Sequence, residues 1–182
     1  RTFRLSPGAF WQVHKGAAEV LSQAVIAAIN AVGIDRNANN LDLYGGVGLF
    51  ASTMSAKFGS QLRISSVESF KQATEDAKLN LSDLPNAKAV LAPVERFVAT
   101  LPVDRKATIV LDPPRSGAGA KVVSALIRSE AKHIVYVACD PVALARDLKP
   151  LLAGGYRLAS LRAFDLFPHT HHVECVASLV RD

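Results

Sequence analysis

Along residues 17–32 the apolar positions Val20 and Leu21, Ala24 and Val25, and Ala28 and Ile29 recur every three or four residues, and Gly33 follows as a stop. That spacing predicts an opening helix with one buried face. Beyond it the pattern changes to short apolar runs at 40–44, 62–67, 88–91, 108–111 and 134–138, separated by stretches at 69–81, 120–129 and 141–152 that read as helices. Strands alternating with helices predict βαβ units, a parallel sheet and right-handed crossovers. The tail departs from this rhythm. The runs 156–164 and 172–180 are separated only by 165–171, too short for a crossover helix, and so predict an antiparallel pair closing the sheet. The expectation is an α/β fold: a doubly wound, mostly parallel, seven-stranded Rossmann-like sheet with an antiparallel C-terminal strand. Residues 1–14, rich in turn formers, read as a linker or the start of the domain, and residues 15–182 as the domain itself.

Composition narrows the class. The chain has 182 residues, 49% hydrophobic, 20% charged and 7% aromatic, which describes one globular core and excludes disordered, collagenous and heptad-rod proteins. A net charge of +5 fits an acidic partner such as nucleic acid. Its distribution adds nothing to that hint, with five cations against three anions over residues 1–60, eight against seven over 61–120 and eight against six over 121–182. Two cysteines cannot build a disulfide scaffold, so free thiols in a reducing compartment are expected. No apolar run reaches the roughly 18 residues of a membrane span, and the first residues have no secretory apolar stretch. The expected setting is a soluble cytoplasmic protein without membrane partners.

The run 41–51 passes from an apolar strand into a glycine-rich turn and then a helix, and Gly46-x-Gly48-x-x-Ala51 fits a nucleotide-binding fingerprint. Glycines allow the tight turn and a close approach of ligand to backbone, while the helix start offers free N–H donors. Glu68, about 20 residues on, ends the second strand, where a carboxylate can accept both hydroxyls of a ribose. Asp42, just before the glycines, favours a cationic cofactor such as S-adenosylmethionine over a pyrophosphate, which it would repel; NAD is the runner-up.

Ligands of an open parallel sheet sit beyond the C-terminal ends of its strands. The fourth strand runs there into Asp112-Pro-Pro-Arg-Ser-Gly117, whose prolines stiffen the projection of Asp112 and Arg115. The fifth ends in Cys139-Asp140-Pro141, placing a thiol before a helix start, a setting that favours thiolate. Cys175 alternates with Val173, Ala177 and Leu179 and reads as core. Glu174 lies on the opposite face of that last strand. If the strand is antiparallel, Glu174 arrives beside Cys139, 35 positions away in sequence. His169, His171 and His172 fall short of a zinc set, because two of them alternate to opposite faces and no second cysteine pair exists.

Taken together, these residues resemble the RNA 5-methyluridine methyltransferase family, over nearly the whole chain. Phe10-Trp-Gln-Val-His14 is similar to the family's F-x-Q-V-N, Asp42–Gly48 to D-L-Y-C-G-x-G, Asp112–Arg115 to D-P-P-R, Ala138–Pro141 to S-C-N-P, and Phe164–Glu174 to F-D-x-F-P-H-T-x-H-V-E. The resemblance implies S-adenosylmethionine bound by Gln12, Tyr44, Gly46, Gly48, Glu68 and Asp112. It implies a nucleophile in Cys139, a general base in Glu174, and substrate contacts from Arg115 and His169. Its expected partner is RNA, either tRNA or rRNA, and the family's N-terminal RNA-binding barrel would lie outside this chain. Gly45 replaces the family's loop cysteine, His14 its asparagine, and Asp140 the asparagine beside the nucleophile; Leu49 stands where many members carry a cofactor-binding asparagine. The Asp140 charge is expected to raise the thiol pKa.

The chemistry explains these residue types. Carbon 5 of uracil is too weak a nucleophile to attack a methyl sulfonium until a thiolate adds to carbon 6. Afterwards a base must take the carbon 5 proton so that the thiol can leave. The target uridine would have to be flipped or single-stranded. Two other readings stand beside this one: methylation of an exocyclic base nitrogen, and a cofactor-binding but inactive RNA-interaction module.

Overall fold

A computed structural model describes residues 1–8, 10–12, 14–167, 170 and 173–181. Helix α1 (Ala17–Val32) leads into β1 (Asn40–Leu43), α2 (Leu49–Phe58), β2 (Ile64–Glu68), α3 (Lys71–Asn80), β3 (Ala87–Leu91), α4 (Val94–Val98), β4 (Thr108–Leu111), α5 (Gly119–Ser129), β5 (His133–Ala138), α6 (Pro141–Ala153), β6 (Arg157–Phe164) and β7 (Glu174–Val180). The seven strands form one sheet in the order β3-β2-β1-β4-β5-β7-β6. β1 to β5 pair in parallel, whereas β7 runs antiparallel to both β5 and β6. This is the architecture the alternating pattern predicts, with the antiparallel tail in place.

Burial follows the pattern of the strands. β1, β4 and β5 are buried along their whole length, as central parallel strands covered on both faces must be. On one face Leu41, Leu43, Ile109, Leu111, Ile134, Tyr136, Cys175 and Ala177 pack with Val98 of α4, Val122 and Leu126 of α5, and Leu144 and Leu151 of α6. On the other, Ile64, Val110, Val135, Val137 and Val176 meet Leu21, Val25 and Ile29 of α1 and Phe50 and Met54 of α2. Cys175 is core, as its alternation predicts. α4, five residues long, is too short to leave a periodic signal.

Residues at the start of the chain are tied to the domain. The backbone N–H of Arg4 donates to Asn80 Oδ1 at 2.8 Å, Asn80 Nδ2 returns a bond to the Arg4 carbonyl at 3.1 Å, and Ser6 donates from both N–H and hydroxyl to Asp76. The rings of Phe3 and Trp11 pack at 5.3 Å. The segment therefore runs along α3 and delivers Phe10, Trp11 and Gln12 to the edge of the sheet where the parallel strands end.

Candidate active site

The strand order reverses between β1 and β4, and in an open α/β sheet the ligand crevice lies outside the strand ends at that switch. A pocket opens at this place. Tyr44, Gly45, Gly46 and Val47 after β1, Leu49 and Phe50 of α2, Asp112 after β4, and Phe10, Trp11 and Gln12 from the start of the chain line it. Of the residues expected at a cofactor, Gln12, Tyr44, Gly46 and Asp112 meet in this lining.

The loop's shape depends on two glycines. A Cβ on Gly45 would run into Ser66 Oγ and sit 3.0 Å from Asp42 Oδ2, so any side chain there requires the Ser66 hydroxyl to turn aside. Gly48 caps α2 with φ +90, and a Cβ there would lie 3.2 Å from Leu81. Gly48 thus makes the turn and packs inward, while Gly46 faces the pocket. Glu68 braces the same loop: its Oε2 accepts from the Gly46 N–H at 3.1 Å and its Oε1 from the Phe70 N–H at 2.7 Å. Oε1 also accepts from the Ser69 hydroxyl at 3.3 Å, so Oε2 is the oxygen that keeps a lone pair for a ligand hydroxyl.

Asp42 is fully buried. Its Oδ2 accepts from the Ala51 N–H at 3.0 Å and from Ser66 at 3.2 Å, and its Oδ1 has no partner among the described residues. Burial drives its pKa up to about 7. Asp112, half-buried across the pocket, is pushed to about 8 by burial, then by Glu174 and by Asp42. Carboxyls in this state lack a countercharge, so a cation delivered between them would be favoured over any anion. Asp42, the charge that favours a cationic cofactor, lies beneath the loop, and Asp112 is the carboxylate that reaches the pocket wall.

At the next strand ends, Ala138 pairs with Cys175 across β5 and β7, so the antiparallel register brings Cys139 and Glu174 to neighbouring positions. Cys139 is partly exposed, and Glu174 is 4% exposed with Oε2 unpartnered among the described residues. Burial raises the Cys139 thiol above its usual pKa, and the charges of Glu174 and then Asp112 raise it further; Arg115 acts in the opposite direction. Burial likewise raises Glu174. These effects favour the thiol, against the thiolate that the helix start alone predicts. The largest of these effects come from burial, Glu174 and Asp112 rather than from Asp140. Its carboxylate caps α6 by accepting from the Ala143 N–H at 2.7 Å, with Pro141 at the first helical position. The expected increase in the thiol pKa is present, but its causes are burial, Glu174 and Asp112.

Arg115 is exposed on the loop between Asp112 and α5. His169 lies outside the described residues, as do His171 and His172. Among the described residues no three His, Cys, Asp or Glu side chains gather as a metal set, and no helix is long and apolar enough to cross a membrane.

Residues 2–182 match the tRNA (uracil-5-)-methyltransferase family. The chain belongs to this family. An RNA methyltransferase of Streptomyces avermitilis is 47% identical over 180 residues, which are 98% of this chain and 41% of that protein. One from Bifidobacterium longum is 39% identical, over 98% of this chain and 42% of its own length. Among solved structures, the Pyrococcus abyssi tRNA (uracil-54, C5)-methyltransferase in complex with S-adenosyl-L-homocysteine superposes with a TM-score of 0.80 at 31% identity, over 98% of this chain and 42% of that one. The chain spans about two fifths of the length of these relatives.

The site also uses residues that the sequence pattern leaves unassigned. Phe10, Trp11 and Phe50 wall the pocket, and Phe10 is 66% exposed. The match of 10–14 to F-x-Q-V-N assigns a role to Gln12 alone, and the aromatic pair before it is the signal that points to Phe10 and Trp11.

Proposed function

We propose that this chain is the catalytic domain of an RNA uridine methyltransferase that moves a methyl group from S-adenosylmethionine to carbon 5 of a uridine in tRNA or rRNA, through a covalent Cys139 adduct. The observation that carries the reading is the antiparallel register of β5 and β7, which sets Cys139 beside Glu174 at the strand ends next to the cofactor pocket. When bound, the cofactor supplies an electrophilic methyl on a cationic sulfur. Tyr44, Gln12 and Gly46 would hold it, Glu68 would accept its ribose hydroxyls, and Asp112 would face its positive charge; Gly48 shapes the turn that presents these groups. Residues 15–182 form the methyltransferase domain, with residues 1–14 as its start.

The Cys139 proton passes to a neighbouring carboxylate, and the thiolate adds to carbon 6 of the uracil, moving the 5,6 double-bond electrons toward the carbon 4 oxygen. The enolate returns those electrons through carbon 5 to the methyl group, forming the new carbon–carbon bond while the methyl–sulfur bond breaks and its electron pair stays on the departing neutral sulfur. Glu174 then takes the carbon 5 proton, the 5,6 double bond re-forms, and the bond to Cys139 sulfur breaks. Arg115 and His169 are assigned to the RNA side. A reducing cytoplasm suits the two free thiols and an RNA substrate.

Incubating the chain with RNA and methyl-labelled S-adenosylmethionine, then digesting to nucleosides, tests the reaction class. Label in 5-methyluridine is expected. Label on an exocyclic amine would move the function to nitrogen methylation, and cofactor binding without any labelled nucleoside would favour an inactive interaction module.

A further inference from the structure

Behind the pocket lies a buried polar cluster that the chemistry above does not use. Asp147, buried on the inner face of α6, accepts at Oδ2 from the Tyr136 hydroxyl at 2.7 Å, the Ala118 N–H at 2.7 Å and the Gly119 N–H at 3.4 Å. The Ala118 N–H also lies 3.0 Å from the Tyr136 hydroxyl oxygen. Arg146, one residue earlier, donates to the Ser116 carbonyl and holds its Nε 3.4 Å from Asp147 Oδ1. Gly117 makes this approach feasible: at φ +81 it carries no Cβ, and one would fall 2.6 Å from Asp147 Oδ2 and 2.5 Å from Arg146 Nη2.

Helix α5 has no side-chain cap of its own, since Ala118 occupies its N-cap. Asp147 supplies the missing acceptor from a different helix, where a carboxylate also complements the α5 dipole. A serine or threonine at 118 would cap α5 locally. The cap used instead closes a bridge between chain segments that carry the reacting groups. Ser116-Gly117-Ala118 follows directly on Asp112-Pro-Pro-Arg115; Tyr136 stands three residues before Cys139; α6 begins two residues after it. Asp112 and Arg115 both act electrostatically on the Cys139 sulfur, with opposite sign. Movement of their loop therefore alters the nucleophile.

We propose that Tyr136 and Asp147 are positioning residues: their hydrogen-bonded pair anchors the loop carrying Asp112 and Arg115 against the strand and helix that present Cys139, and so fixes the geometry of nucleophile and substrate clamp. The inference rests on Cys139 being the nucleophile. It also explains why an acidic side chain is kept in the core beside a buried phenol, where apolar residues would pack without desolvation cost.

The test compares wild-type chain with Tyr136→Phe, which removes one hydroxyl, and with Asp147→Asn. Alkylation of Cys139 by iodoacetamide is followed across pH on its own peptide by mass spectrometry, alongside the melting temperature. Adduct formation with RNA containing 5-fluorouridine is measured in parallel. In both variants the alkylation profile is expected to move to lower pH, because Asp112 recedes and water reaches the thiol. The adduct rate per folded molecule falls about 10- to 100-fold, the penalty of a small misplacement of reacting groups. An unchanged alkylation profile and adduct rate per folded molecule, with only a lowered melting temperature, would reduce the pair to a helix cap and overturn the proposal. If wild-type chain forms no adduct, the nucleophile reading fails by itself, and the alkylation profile still decides whether the pair positions the loop.

Discussion

Replacing Asp42 with asparagine isolates the cost of holding a carboxylate beneath the cofactor loop. The side chain is fully buried, and its pKa rises from 3.8 to about 7, with burial the largest cause. The sign follows from linkage. An acid whose folded pKa lies above its unfolded value binds more protons when folded, so the native state loses stability as pH rises from the unfolded value and has lost all of that contribution above the folded one. At about 1.36 kcal/mol per pH unit the full gap amounts to roughly 4 kcal/mol near pH 8, and roughly 1.5 kcal/mol near pH 5. The asparagine side chain keeps the shape and an oxygen to accept from Ala51 and Ser66, but never ionises. Asp42→Asn is therefore expected to stabilise the cofactor-free chain strongly near pH 8 and weakly near pH 5. At about 2 to 4 °C per kcal/mol for this size of chain, the melting temperature rises on the order of 10 °C at the higher pH. Thermal and urea unfolding at both pH values provide the assay. An equal gain at the two pH values, or no gain near pH 8, would refute the assignment of an ionisable group buried without a countercharge. Addition of S-adenosylmethionine should narrow the difference, because a bound cation offsets the same charge in wild-type chain.

Other substitutions test the remaining parts. Glu68→Ala removes the acceptor that braces Gly46 and faces the ribose, and a charged hydrogen bond worth about 1.5 to 3 kcal/mol corresponds to a loss of roughly 10- to 100-fold in S-adenosylmethionine affinity by calorimetry. Gly45→Ala puts a Cβ onto the Ser66 hydroxyl and turns it from Asp42, so cofactor affinity should fall by calorimetry while the far end of the sheet keeps its amide protection in hydrogen exchange. Glu174→Gln leaves the thiol able to add but removes the base, so natural RNA is expected to accumulate as a methylated adduct on denaturing gels; wild-type turnover by this variant would exclude Glu174 as the base. The same substitution removes the largest charge acting on Cys139, and its alkylation profile should shift to lower pH.

Much of this architecture is legible in the pattern of apolar positions, because a doubly wound sheet leaves strong marks: buried strands of four to six residues such as β1, β4 and β5, and loops whose length permits only one kind of connection. The pairing of Cys139 with Glu174 is legible for the same reason. Side chains alternate along a strand, and an antiparallel last strand must start where its neighbour ends. The parts that escape are those fixed by tertiary contact. The course of the first residues depends on Asp76 and Asn80 of α3, far away in sequence. The true neighbours of the Cys139 thiol depend on Asp140 being occupied as a helix cap, which spacing alone does not reveal. Asp147 carries no local signal at all, since its partners at Ala118 and Tyr136 meet it only in the folded chain.

The central claim is that Cys139 attacks the pyrimidine, and trapping tests it most directly. RNA containing 5-fluorouridine is incubated with the chain and S-adenosylmethionine, and the products are resolved on a denaturing gel. Fluorine at carbon 5 leaves no proton for Glu174 to remove, so a stable protein–RNA adduct is expected with wild-type chain, mapped by mass spectrometry to the Cys139 peptide and absent in Cys139→Ala. An adduct that persists in Cys139→Ala, or that maps to Cys175, would contradict it.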